Sequence, residues 1–168
     1  MLIRSAGPDD LEAIADIYVT NHRETYKGLL ADEYFSKLTP ERAAEKWSEF
    51  LQDDGKKIWV ACEGDAVLGF AACRKDSEIA DAWYIDSLHT AERARGRGIG
   101  TVLIRTAREY AYGNGYGKMS VCIIKGNESA RKFYTRLGAV HLKDFDDDFC
   151  GTVSHSEKLV WNDLDRCI

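Results

Sequence analysis

Residues 95–100 read Arg-Gly-Arg-Gly-Ile-Gly and stand between segments of different periodicity. Trp83 to Thr90 reads as a strand, and Ile99 to Tyr112 places its apolar residues at helical spacing. A glycine-dense turn that feeds a helix exposes several backbone N–H groups with no partner inside the helix. Those groups, the helix dipole and the guanidinium groups of Arg95 and Arg97 together make a seat for a phosphate-bearing ligand. Glycine is the residue required, because a Cβ would hold the ligand off the backbone. The stretch is not a P-loop, since no Gly-Lys-Ser/Thr follows it. It is not a dinucleotide fingerprint either, since Val102 stands where the third glycine would be needed. An ordinary surface turn made soluble by arginines is the competing reading.

The rest of the chain reads as one domain over residues 1–168, with no internal repeat and no linker. Residues 2–6 alternate as a short strand. Pro8, Asp9 and Asp10 open a helix carrying Leu11, Ile14, Ala15, Tyr18, His22 and Tyr26 on one stripe. Gly28 interrupts it, and Thr39-Pro40-Glu41 starts a second helix with Ala43, Trp47 and Phe50. Strands over 57–63 and 66–73 are joined by a tight hairpin at Glu63-Gly64-Asp65-Ala66, and a third covers about 80–90. The helix after the glycine turn ends among Gly113, Gly115 and Gly117. Met119 to Ile124 is a near-continuous apolar strand, as expected at a sheet centre. Asn127 caps a short helix closed by Gly138, and residues 139–145 and 152–161 form a last strand pair. Asp144, Asp146, Asp147 and Asp148 lie between these two strands and read as a solvated loop. Antiparallel hairpins ahead of a β-α-β unit predict a mixed sheet.

A net charge of -5 argues against nucleic acid, whose binders carry a basic footprint. No apolar run has the length of a membrane span, and the first residues lead into a strand pattern instead of a signal peptide. The five cysteines (Cys62, Cys73, Cys122, Cys150 and Cys167) include no Cys-x-x-Cys pair. They read as reduced core thiols of a cytoplasmic protein. No His/Cys/Asp cluster has ligand spacing, so no metal is expected.

Two segments resemble motifs of the GNAT family of acyl-CoA-dependent N-acetyltransferases. Arg95 to Gly100 matches the family's Gln/Arg-x-x-Gly-x-Gly/Ala pyrophosphate loop. Asn127-Glu128-Ser129-Ala130-Arg131-Lys132-Phe133-Tyr134-Thr135-Arg136-Leu137-Gly138 is similar to its Asn-x-x-Ala-x-x-Phe-Tyr-x-x-x-Gly-Phe segment, with Ala139 replacing the final phenylalanine. The run from Asn21 to Leu30 is similar to one bacterial branch, which usually has tryptophan where His22 stands. The resemblance implies an α+β, three-layer α/β/α fold. Its mixed, mostly antiparallel central sheet would have about seven strands, with helices on both faces. Many relatives are dimers, so it also allows a homodimer.

The implied co-substrate is acetyl-CoA. Its pyrophosphate would rest on backbone N–H groups of Arg95, Gly96, Arg97, Gly98, Ile99, Gly100 and Thr101. Its pantetheine arm would add to the third strand at Leu88 and Thr90, beside Asn127 and Ser129. Asn127 would double as a helix N-cap. The implied reaction is acetyl transfer to a primary amine, a small molecule being favoured, by direct attack in a ternary complex. Holding a lysine-like amine neutral at pH 7 costs about 4–5 kcal/mol, which a desolvated site with a base lowers. Tyr134 is the candidate general acid, with a phenol pKa near that of a leaving thiol. Many relatives carry a glutamate base where Tyr84 stands, so Asp86, two residues on and on the same strand face, becomes the candidate base. Glu24, His22 or a water are the alternatives. Candidate acceptor walls are His22, Tyr26, Tyr34, Phe35, Trp83 and Tyr84, and His155 on the last strand pair is placed to face the acceptor if its alternation allows. A protein N-terminus or lysine as acceptor, a non-catalytic acyl-CoA-binding module, and a phosphate-ligand binder unrelated to CoA stay open.

Overall fold

The computed structural model describes residues 1–149 and 152–165. Its strands are β1 (Leu2–Ser5), β2 (Lys56–Glu63), β3 (Ala66–Lys75), β4 (Ala82–Thr90), β5 (Lys118–Ile124), β6 (Val140–Phe149) and β7 (Thr152–Trp161). Its helices are α1 (Leu11–Thr25), α2 (Asp32–Lys37), α3 (Pro40–Gln52), α4 (Ile99–Gly113) and α5 (Glu128–Arg136). The seven strands form one sheet in the order β1-β2-β3-β4-β5-β7-β6. Each neighbouring pair is antiparallel except β4 and β5. This is the mixed, mostly antiparallel sheet that the resemblance implies.

Aromatic packing sets the layers. On one face Trp47 of α3 and Tyr18 of α1 pack edge-on, Trp47 meets Phe70 of β3, and Tyr18 meets His89 of β4. On the other face Trp59 and Trp83 both pack against Tyr110 of α4. Helix α5 closes that face beside α4. The Tyr134 ring meets Trp161 edge-on, and the Trp161 indole N–H donates to the Leu137 carbonyl at 2.8 Å. Thr39 caps α3 by accepting from the Arg42 N–H, with Pro40 in the first turn.

Two features of β4 create the working geometry. Its parallel pairing with β5 covers only Ala82–Ile85 against Lys118–Val121, after which the strands part. Along the β3 side, Ala72 pairs with Ser87 and Cys73 with Ile85, so Asp86 is the extra residue of a bulge. A bulge bends its strand and raises the local twist. It also resets the side-chain alternation, which brings His89 onto the face of Phe70 and α1.

Several boundaries differ from the pattern. Helix α1 follows a 3-10 turn at Pro8–Asp10 and ends at Thr25, and the short α2 fills a stretch that carries no periodic signal. The aspartate run is not a loop. Asp144, Asp146, Asp147 and Asp148 lie within β6 and pair with Glu157, His155, Ser154 and Val153 of β7. β6 is the sheet edge, where exposed acids block further strand addition, so polarity there does not mark a turn. Cys62 and Cys73 are buried free thiols, while Cys150 and Cys167 lie outside the described residues.

Candidate active site

The glycine loop is built by backbone conformation. Gly96 and Gly98 both have φ of +77°, in the region that side-chain-bearing residues avoid. A Cβ on either would meet nothing within 4 Å, so conformation, not crowding, demands glycine. Gly100 differs: its Cβ would lie 3.2 Å from the Phe133 ring, because α5 crosses there. The Val102 N–H donates to the Gly98 carbonyl at 3.1 Å, so the N–H groups of Ile99, Gly100 and Thr101 precede the helical ladder. These residues, with Arg95, Gly96 and Gly98, line a cleft of about 820 Å³. Arg95 donates to the Asn21 side-chain oxygen and to Glu24, each at 2.6 Å. The Arg97 side chain turns instead to Glu63, at 2.9 Å, and does not line the cleft.

From the loop, the cleft follows the parting of β4 and β5, past Leu88 to Thr90 on one side and Cys122 to Ile124 on the other. The Thr90 carbonyl already accepts from the Asn21 side-chain amide at 3.0 Å. Asn127 caps α5 by accepting from the Ala130 N–H at 3.2 Å, and its side chain also hydrogen-bonds Tyr26. Ser129 and Tyr134 line the same wall. Tyr134 is only 6% exposed, and burial raises its phenol above the ordinary pKa.

Beyond the gap, the lining becomes aromatic and ionic. The His22 ring packs against Tyr18, Tyr26 and His89, and its Nδ1 lies 2.6 Å from the Tyr34 hydroxyl. Burial holds His22 well below its usual value and pushes His89 down to about 3, with Lys46 adding to both. Both rings are therefore neutral at pH 7. Asp86 accepts from Arg74 Nε at 3.2 Å, and Lys46 Nζ lies 4.0 Å from its other oxygen. The Arg74 guanidinium stacks 4.6 Å from the Tyr84 ring centre, and Lys46 sits 4.4 Å over Trp47. Burial raises the Tyr84 phenol, whose neighbour Cys122 lines the cleft half-buried.

Most residues singled out in the sequence converge here. Leu88, Thr90, the loop apart from Arg97, Asn127, Ser129, Tyr134, Asp86, His22, Tyr26 and Tyr84 all line one cleft. Trp83 does not. It is 2% exposed and packs against Tyr110 and Tyr116 on the opposite face, because alternation along β4 turns it away from Tyr84. Glu24 is engaged by Arg95, and His155 by Asp146 at 2.5 Å. Tyr34 and Phe35 pack together behind His22. Asp147 is the one residue of the aspartate run that reaches the cleft. Sequence reasoning gave no role to Asn21, Lys46, Arg74, Ser87, His89 or Cys122, all of which line it. Lys46 follows the helical stripe beside Trp47, but Arg74 becomes visible only once Tyr84 is its cross-strand partner. Folding also brings together ligand atoms of His141, Asp144 and Glu157 within 4.8 Å, a trio with no spacing signature. Lys125 and Arg131 each pair with one of its carboxylates, at 2.7 Å, and so already neutralise them.

A model of the acetyltransferase (GNAT) family matches residues 13–139. An uncharacterized N-acetyltransferase of Methanocaldococcus jannaschii is 32% identical over 81% of this chain, which spans only 59% of that protein's length. One from Archaeoglobus fulgidus is 31% identical over 80% of this chain and 89% of its own. The structure of yncA from Salmonella typhimurium, determined with its cofactor acetyl-CoA, superposes with a TM-score of 0.74 at 20% identity. That superposition covers 100% of this chain and 96% of that one.

Proposed function

The chain belongs to the acetyltransferase (GNAT) family, and from that premise we propose that it transfers the acetyl group of acetyl-CoA to the primary amine of a small molecule, by direct attack in a ternary complex. One observation carries this reading: a single cleft joins the glycine loop, the unpaired inner edges of β4 and β5, buried Tyr134, and an ionic far end at Asp86.

In the proposed complex, the N–H groups at the start of α4 hold the pyrophosphate, with Arg95 beside them. The parted strands hold the pantetheine arm by strand addition, with Asn127 and Ser129 along the opposite wall. Acetyl-CoA supplies an activated thioester. A backbone N–H at or near Leu88 stabilises the charge that develops on the carbonyl oxygen as the amine attacks. Tyr134 gives a proton to the departing sulfur, and Asp86 takes one from the amine nitrogen through a water. His22 and His89, held neutral by burial, serve as walls and not as bases. Tyr84, protonated across the working range, can donate a hydrogen bond but cannot replace a glutamate base.

The test has two arms. CoA at a hundredfold excess over its Kd should stabilise the fold by about 2.7 kcal/mol, read as a rise in Tm. Thiol release from acetyl-CoA should then depend on an added primary amine. No CoA-dependent rise in Tm would end this reading, and binding without amine-dependent release would leave a carrier module in its place.

A further inference from the structure

We infer that the acceptor is a zwitterion, an amine that carries its own carboxylate as a free amino acid does, with the carboxylate seated at Arg74 and Lys46. The inference rests on the acetyl-transfer reading and names the substrate class of that same cleft.

Charge and placement carry it. Two cations, Arg74 and Lys46, face Asp86. Both line the cleft and are held by packing: half-buried Arg74 is stacked on Tyr84, and Lys46, though exposed, is laid over Trp47 and bonded to the Tyr18 hydroxyl at 3.3 Å. A guanidinium that spends its Nε on Asp86 and one terminal nitrogen on the Lys75 carbonyl keeps its other terminal nitrogen for a further acceptor. The acids at this end are Asp86 and, from exposed β6, Asp147. The two histidines facing the group, His22 and His89, add no charge at neutral pH. A wall with both signs of charge suits a ligand with both signs. A polyamine would set surplus positive charge against Arg74 and Lys46.

Distance narrows the class. Arg74 pairs with Tyr84 in register and reaches forward to Asp86, which is two residues from Leu88. At about 3.3 Å per residue, Asp86, on which both cations converge, stands roughly 7 Å along β4 from Leu88, so the anion seat and the point of acetyl transfer share one end of the cleft. A small molecule that carries amine and carboxylate close together suits that arrangement. A protein lysine or a peptide N-terminus has no carboxylate fixed at that spacing.

The experiment uses the full chain with saturating acetyl-CoA and matched acceptors. These are free α-, β- and γ-amino acids, the decarboxylated amine of each, a polyamine, and tripeptides bearing the same N-terminal residue. Thiol release should favour at least one free amino acid over its decarboxylated partner by about tenfold or more in kcat/KM, the worth of a charge-assisted contact. Arg74→Gln and Lys46→Gln should erase that preference mainly through KM, and Arg74→Lys should restore part of it. CoA affinity by calorimetry, retained in each variant, checks that the variants fold. The inference is overturned if the decarboxylated amine, polyamine or tripeptide is preferred, or if no free amino acid reacts. It is equally overturned if both variants keep the preference. Loss of CoA binding by the unaltered protein would instead remove the acetyl-transfer reading on which it stands.

Discussion

Tyr134 is packed against Phe133 and Trp161, and burial, with smaller contributions from Tyr26 and Cys73, lifts its phenol above the ordinary range. A phenol so raised stays protonated at every working pH. Handing its proton to a thiolate, whose thiol titrates near 8.5, is then steeper than the near-balance expected of a free tyrosine. Its useful act is to donate a hydrogen bond to sulfur as charge develops there, completing the transfer late. Tyr134→Phe keeps the ring and removes the donor, so turnover should drop about 100-fold, with a smaller change in CoA affinity. A turnover rate close to that of the unaltered protein would reduce Tyr134 to packing. Asp86 accepts from Arg74 at 3.2 Å, with Lys46 4.0 Å from its other oxygen. Asp86→Asn should slow the reaction at neutral pH and leave a rate that climbs with pH as the free amine loses its proton unaided. An unaltered pH–rate profile in that variant would exclude Asp86 as the proton acceptor.

The glycine loop and the β4 bulge decide what the elements can hold. Gly98→Ala forces a Cβ onto a backbone at φ +77°, which should cost about 1–2 kcal/mol of stability and turn the N–H groups of the seat. The control is Gly115→Ala, at φ +83° just past the C-terminal end of α4, where the same kind of backbone cost falls at the end of that helix remote from the loop. Urea unfolding should show similar losses in both, while calorimetry shows CoA affinity falling only in Gly98→Ala. Equal affinities would remove the loop from the binding site. Local chemistry of this kind is what made the Gly64 hairpin, the β4–loop–α4 unit and the Asn127-capped helix legible from sequence, since each is specified by its own residues. The bulge at Asp86 was not legible, because only pairing with β3 shows which residue is extra. Nor was the meeting of Lys46, Arg74 and Asp86, which needs α3, β3 and β4 in place at once. Helix α2 is six residues long and its N-cap, Ala31, has no side-chain cap to offer, so it left no signal. Trp83 was misplaced for a related reason, its strand having been read correctly and its face not.

At the scale of the molecule, the acceptor end places its stability under pH control. His22 and His89 are buried among Tyr18, Tyr26 and Phe70, and burial depresses both pKa values, that of His89 to about 3. In the unfolded chain both take up a proton below about 6.5, whereas in the folded chain burial holds His89 neutral down to about pH 3 and lowers His22 in the same direction. The unfolded state therefore binds more protons, and stability must fall as pH drops from 6.5 toward 3. His89 contributes a slope of up to about 1.4 kcal/mol per pH unit, roughly 2 kcal/mol between pH 6.5 and 5, and His22 adds to the fall in the same direction. The buried Asp76 acts later. Burial would raise its pKa, but the Ser120 hydroxyl, the Lys158 ammonium and the N–H groups of Glu78 and Ile79 together hold it at about 2. Its stabilisation is complete above about 3.8 and is lost as pH falls toward 2, below the range where the histidines dominate. Acid should thus loosen the acceptor end before it breaks the Asp76–Lys158 pair that ties β7 to the turn after β3. Urea titrations at pH 7, 6 and 5 should show a falling midpoint, and His89→Gln should make the decline clearly shallower. A midpoint that stays level from pH 7 to 5 would mean that both rings gain charge inside the fold, and would reopen His22 as a proton acceptor for the amine.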